Sequence, residues 1–171
     1  MKVQIPMFDC LVTITEDDFD VAVLQADILQ GSENAGAVAS FVGVVRGVDS
    51  GQVDGDAGAI GAIELEHYPG MTESSISEIV SQAATRWQLL AARVVHRIGR
   101  LLPGEQIVYV GVSSMHRRDA FDACEFIMDY LKTQAPLWKK EEFEDGSRWV
   151  DARDSEATAA ARWAEQDEAI N

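Results

Sequence analysis

The run QIVYVGVSSMHRRDAFDACEFIMDYLKTQ, residues 106–134, holds two periodicities in succession. Residues 106–113 carry no charge and include Ile107, Val108, Val110 and Val112, and they read as a strand. Ala120, Phe121, Cys124, Ile127, Met128 and Leu131 then recur at helical spacing, which predicts a long helix running to about Thr133 with Cys124 on its apolar face. Ser113 or Ser114 can cap its start, and Pro136 stops it. A strand that feeds such a helix needs a sheet to pack on, and the flanking sequence supplies one.

Upstream, residues 91–98 (AARVVHRI) form a second strand, joined to the first through the turn Leu102-Pro103-Gly104, so the two read as a hairpin. Residues 71–87 form another helix, with Thr72 as its cap and Ile76, Ile79, Val80, Ala83 and Trp87 on one face. Ala62–His67 alternates as a strand, and residues 35–46 (AGAVASFVGVVR) suit a buried one. Residues 17–30 form a first helix capped by Asp17 or Asp18. Downstream, residues 137–143 and 147–150 flank Glu144-Asp145-Gly146 as a second hairpin. Residues 47–61, with five glycines and three aspartates, read as a loop, and the tail 154–169 as a final helix or a frayed end. Helices mix with antiparallel hairpins without a regular βαβ alternation, so the class is α+β, with three main helices and a possible C-terminal one. At 171 residues the chain is expected to form a single domain, 1–171, with a core that needs no disulfide or structural metal.

The net charge of −15 argues against nucleic acid or an anionic membrane as the main partner, and no apolar run approaches the roughly 20 residues of a spanning helix. Residues 1–15 lack the features of a signal peptide, which makes the cytoplasm the expected address. Cys10 and Cys124 are too few and too far apart for a disulfide framework or a metal cluster. Phosphate-loop, dinucleotide-binding, nucleophile-elbow and zinc-protease signatures are missing, so no metal or cofactor is expected.

The bases are unevenly placed. Residues 1–85 hold two, Lys2 and Arg46, whereas ten lie between Arg93 and Arg153. Several stand where elements begin or end: Arg46 after a strand, His116 and Arg117 at a helix start, Lys132 in its last turn, Lys139 and Lys140 past Pro136. Positive charge in a first helical turn opposes the helix dipole, and a helix start already offers free N–H groups to an anion. Two readings stay open on these grounds: an anion pocket for phosphate or carboxylate, or solvated faces in which Lys139 and Lys140 pair with Glu141 and Glu142.

The stretches SFVGVVRG (40–47), LEHYPGM (65–71), VVHRIGRLLPGE (94–105), VGVSSMHR (110–117), FIMDYLKTQAPLWKKE (126–141) and RWVDAR (148–153) are similar, in this order, to the large, catalytic subunit of molybdopterin synthase. The similarity runs from about residue 35 to 163 and leaves residues 1–34 weakly matched. The resemblance implies an α/β-hammerhead-like fold and a homodimer within a heterotetramer, each large subunit binding one small ubiquitin-like sulfur-carrier subunit. It implies a sulfurtransferase of molybdenum cofactor biosynthesis: two sulfurs pass from the carrier's thiocarboxylated C-terminus to cyclic pyranopterin monophosphate, forming the dithiolene of molybdopterin. By the same motifs Lys132 and Lys139 match the family's functional lysines, Arg46, His116 and Arg117 its anion-binding residues, and Arg153 a residue supplied by the dimer mate. The loop 47–61 is longer and more acidic than the family pattern, and with a second lysine at 140 the choice of Lys139 rests on the motif. A non-catalytic scaffold that docks a ubiquitin-like tail is the alternative; it would not need Lys132.

Overall fold

A computed structural model describes residues 8–48, 59–150 and 161–163. The elements run β1 (Asp9–Thr15), α1 (Val21–Gln30), β2 (Ala37–Val44), β3 (Ala62–His67), α2 (Met71–Arg86), β4 (Leu89–Arg97), β5 (Gly99–Leu101), β6 (Gln106–Ser114), α3 (Arg117–Gln134), β7 (Leu137–Phe143) and β8 (Gly146–Val150). They form two four-stranded sheets, ordered β1-β4-β6-β2 and β5-β3-β7-β8. The class is α+β, as expected.

The β4–β6 hairpin forms the centre of the first sheet, and both its strands are apolar on successive residues because both faces are covered. Val94, Val108, Val110 and Val112 pack against α2 and α3 with Ile79, Phe126 and Ile127, while Ala91, Val95 and Tyr109 pack against Ile28 of α1. Gly111 is required in this layer: a Cβ there would stand 2.4 Å from Tyr109 Oη and 2.6 Å from Ile28 Cδ1. Between β4 and β6 the chain makes one detour, β5, which crosses to the second sheet and pairs with β3.

Several expectations are corrected. The first sheet is not purely antiparallel: β1, a strand not expected from the sequence, pairs parallel with β4. Asp9 is what holds it there, since the buried Arg93 guanidinium donates to Asp9 Oδ2 at 2.5 Å and, through Nε, to Asp27 of α1. One guanidinium thus ties an edge strand and a helix to the sheet. β2 is an edge strand paired only with β6, so Phe41 and Val44 stay exposed where a buried strand was expected. Asp20, the residue next to the helix, caps α1 in place of Asp17 or Asp18, accepting from Ala22 N and Val23 N. At α2 the cap position is Gly70, whose N–H donates to Glu73. Thr72 lies inside the first turn, fully buried, and its hydroxyl binds the Tyr68 and Pro136 carbonyls.

Ser113 and Ser114 belong to β6, and His116 takes the cap position of α3 with no side-chain bond, while its N–H donates to Ser114 Oγ. The buried stripe of α3 runs through Ala123 and Phe126 as well as Ala120, Cys124, Ile127, Met128 and Leu131, which leaves Phe121 on its margin, 65% exposed. Loop residues 49–58 lie outside the described residues.

In the tail, residues 161–163 are helical and Trp163 is a core residue, 4% exposed, with its ring centroid 5.6 Å from those of Trp87 and Phe126. Its indole N–H donates to Asp129 Oδ2 at 2.8 Å. Trp163→Ala is therefore expected to cost about 3–5 kcal/mol of unfolding free energy in urea titrations, as for other buried Trp truncations. A loss below about 1 kcal/mol, the range of surface substitutions, would show that the tail does not dock.

Candidate active site

Alternation along β7 decides which of its charges face inward. Lys139 is registered with Leu65 and Glu141 with Ile63, both buried, so these two side chains share the face turned toward the first sheet. Lys140 points to the other face, its Nζ 5.7 Å from the centroid of the Trp149 ring. The two lysines between which only the motif chose are therefore on opposite sides, and Lys139 is the one at the cleft.

That cleft, about 790 Å³, lies between the two sheets and is closed on one side by the last turns of α3. Arg46, one residue beyond the buried Val45, lines it from the end of β2. Lys132 lines it from α3, next to the buried Leu131, and Lys139 from β7. The floor is apolar, with Ile63, Leu65, Val108 and Met128. Three cations thus converge over an apolar floor, an arrangement whose chemistry suits an anionic group with an apolar remainder.

Two carboxylates and a histidine complete the lining. Glu141 is buried and accepts from Lys139 Nζ at 2.8 Å; Asp129 accepts from Arg162 and Trp163. Sequence reasoning did not single out Glu141 as a site residue, although its spacing of two from Lys139 was a usable signal for a strand. His96, 5% exposed within β4, was missed because an isolated histidine in an apolar strand carries no motif. Burial pushes its imidazole down to about 4, a shift that neighbouring His67 reinforces and the bond to the Arg97 carbonyl partly opposes. Cys124 is no nucleophile: burial pushes its thiol up to about 12, and it faces the Val110 carbonyl.

The remaining expected site residues are elsewhere. His116 and Arg117 are exposed and border a separate depression with Gly36, Met115 and Phe121. On one helix Arg117 and Lys132 are about 22 Å apart along the axis, so a single chain does not bring them together. Arg153 lies outside the described residues. No described helix is long and apolar enough to cross a membrane, and among the described residues no group of three or more His, Cys, Asp or Glu side chains could hold a metal.

Fold and cleft define an α+β subunit with a cation-lined cleft between two sheets. The chain belongs to the MoaE protein family, whose pattern it matches over residues 14–134. It is 54% identical over 155 residues to a molybdopterin synthase catalytic subunit of Vibrio cholerae, covering 91% of this chain and 99% of the relative. A protein of the same description from Escherichia coli is 53% identical over 128 residues, 75% of this chain and 81% of the relative. Among solved structures, a molybdopterin biosynthesis MoaE protein from Burkholderia ambifaria superposes with a TM-score of 0.76 at 47% identity, covering 91% of this chain and 98% of that one.

The buried histidine makes stability depend on pH. Unfolded, it takes up a proton near 6.5; folded, only near 4, so the unfolded state binds more protons in between and stability is lost as pH falls through this window. Between pH 6.5 and 5 the loss attributable to His96 is expected to reach about 2 kcal/mol. Urea unfolding of wild type and His96→Gln across that range checks it; parallel pH profiles would show that His96 is not held neutral.

Proposed function

We propose that the chain is a sulfur-transferring subunit acting on cyclic pyranopterin monophosphate, with a small ubiquitin-like carrier as donor. The observation that carries this reading is the convergence of Arg46, Lys132 and Lys139 on one cleft. The substrate brings a phosphate and the carrier brings a thiocarboxylate, so the reaction presents two anions to a site lined by three cations. The relatives' description as catalytic subunits is in keeping with a second, smaller subunit. Each thiocarboxylate sulfur forms a C–S bond to a side-chain carbon of the pterin as a C–O bond at that carbon breaks, one oxygen staying on the phosphate as the cyclic ester opens and the other leaving as water. The carrier is released as its carboxylate once water cleaves its acyl–sulfur bond. Lys132 holds the charge that develops at the attacked carbonyl or exchanges a proton with it, and Lys139, oriented by Glu141, holds an anionic group beside it.

The same reading places His116 and Arg117 in the cleft of a second copy. They lie too far along α3 to reach Lys132 in their own chain, and a two-fold dimer supplies each cleft with the partner's helix start. The exposed Phe41 and Val44 on edge strand β2, with Met115 and Phe121 beside His116, offer apolar surface to such a contact. Arg153 joins this set on motif grounds. The chain works as one domain, 1–171, in the cytoplasm.

Mixing the protein with thiocarboxylated carrier and substrate should yield the dithiolene product; binding of carrier without product would instead favour a docking scaffold. Lys132→Ala should abolish product while carrier binding persists, and lost carrier binding in a folded variant would make Lys132 a docking residue. His116→Ala and Arg117→Ala should raise the apparent Michaelis constant for the pterin about ten- to a hundredfold, the worth of a charge-assisted contact, with melting temperature almost unchanged. Collapsed melting with a wild-type constant would make them structural. Equal mixing of Lys132→Ala with the His116→Ala/Arg117→Ala double variant, after subunit exchange, should restore about a quarter of wild-type activity, because half the dimers are mixed and each of these keeps one intact cleft. No recovery would place both groups in the same chain's site. Light scattering should give a dimer at micromolar concentration.

A further inference from the structure

Arg46, Lys132 and Lys139 can only donate hydrogen bonds. Of the acceptors in the cleft, Glu141 already carries Lys139, and Asp129 carries Arg162 and Trp163. The substrate assigned above also carries donors, hydroxyl and ring N–H groups, and these need an acceptor once they leave water.

His96 meets that need by its geometry. Its Nδ1 stands 2.8 Å from the Arg97 carbonyl oxygen. A carbonyl only accepts, so the proton is on Nδ1 and Nε2 carries a bare lone pair. Among the described residues Nε2 has no hydrogen-bond partner, yet Tyr109 Oη is the one side-chain polar atom there that is both sealed from solvent and unpaired. Nε2 is therefore reached from outside, and the space that His96 lines is the cleft. Burial keeps the ring neutral at physiological pH, so the lone pair is available throughout the working range. A histidine retained only for packing would have no need of a bare nitrogen at a wall lined by cations.

We propose that His96 is a substrate-binding residue whose Nε2 accepts a hydrogen bond from a hydroxyl or ring N–H of the pterin and thereby orients it in the cleft. The inference rests on the sulfur-transfer reading, and the two fail separately. His96→Asn keeps a donor for the Arg97 carbonyl but has nothing at Nε2; His96→Gln returns an amide oxygen near that point.

In the assembled complex with thiocarboxylated carrier, His96→Asn should raise the Michaelis constant for cyclic pyranopterin monophosphate about tenfold, and His96→Gln by no more than about threefold. Carrier affinity should be unchanged in both. A wild-type constant in His96→Asn, or equal rises in both variants matched by equal losses in melting temperature, would overturn the proposal. A measurement on the unaltered protein guards against misfolded variants: the nitrogen-15 resonance of His96 Nε2 should stand at a bare pyridine-type position in the free complex and move upfield when the pterin binds. Turnover by wild type with that resonance unmoved overturns the acceptor role alone, whereas absence of dithiolene from wild type overturns the function on which it rests.

Discussion

The apolar stripe of α3 against the central hairpin is the contact on which the rest depends. Residues 120–131 turn Phe126, Ile127 and Leu131 onto a sheet already fixed by β4 and β6, and each such side chain contributes about 1.5–3 kcal/mol when fully buried. Because the helix is rigid, fixing its stripe also fixes what stands beside it. Lys132 follows Leu131 directly and is carried to the cleft; Arg117 is carried to the opposite end. The separation of the two cationic groups along one helix is thus a consequence of packing.

The second constraint is the alternation of β7. A strand sends neighbours to opposite faces, so one of Lys139 and Lys140 must point inward, and the register with β3 selects Lys139 and Glu141 together. A one-residue slip would bring Lys140 and Glu142 to the cleft and turn Lys139 and Glu141 away from it. The buried Glu141 makes Lys139 tolerable in this setting, since a cation near an apolar floor keeps its charge most cheaply when a carboxylate accepts from it.

An acidic chain and a cation-lined cleft are compatible because one is a global sum and the other a local arrangement. The net charge of −15 belongs to the chain as a whole, while three of the fourteen bases meet at one cleft. Neighbours within a few ångströms govern what a bound anion experiences, whereas distant surface charge is screened over roughly 8–10 Å by salt.

Local chemistry made most elements legible from sequence alone: the 3.6 period of α2 and α3, the strand alternation of Ala62–His67, and the Asp-Gly turn between β7 and β8 all depend on residues close in the chain. The motif stretches likewise marked Arg46, Lys132 and Lys139 before their convergence was visible. The parallel pairing of β1, the burial of Trp163, the edge position of β2 and the recruitment of His96 and Glu141 to the cleft depend on partners tens of residues away. A single aspartate in an apolar stretch reads as an interruption until Arg93 is beside it, and a lone histidine in a strand reads as filler until the other sheet encloses it. Sequence determined the elements and the charges they carry, because propensity and periodicity act over a few residues; tertiary structure decided which charges share a site, because that is set by which faces the core leaves open.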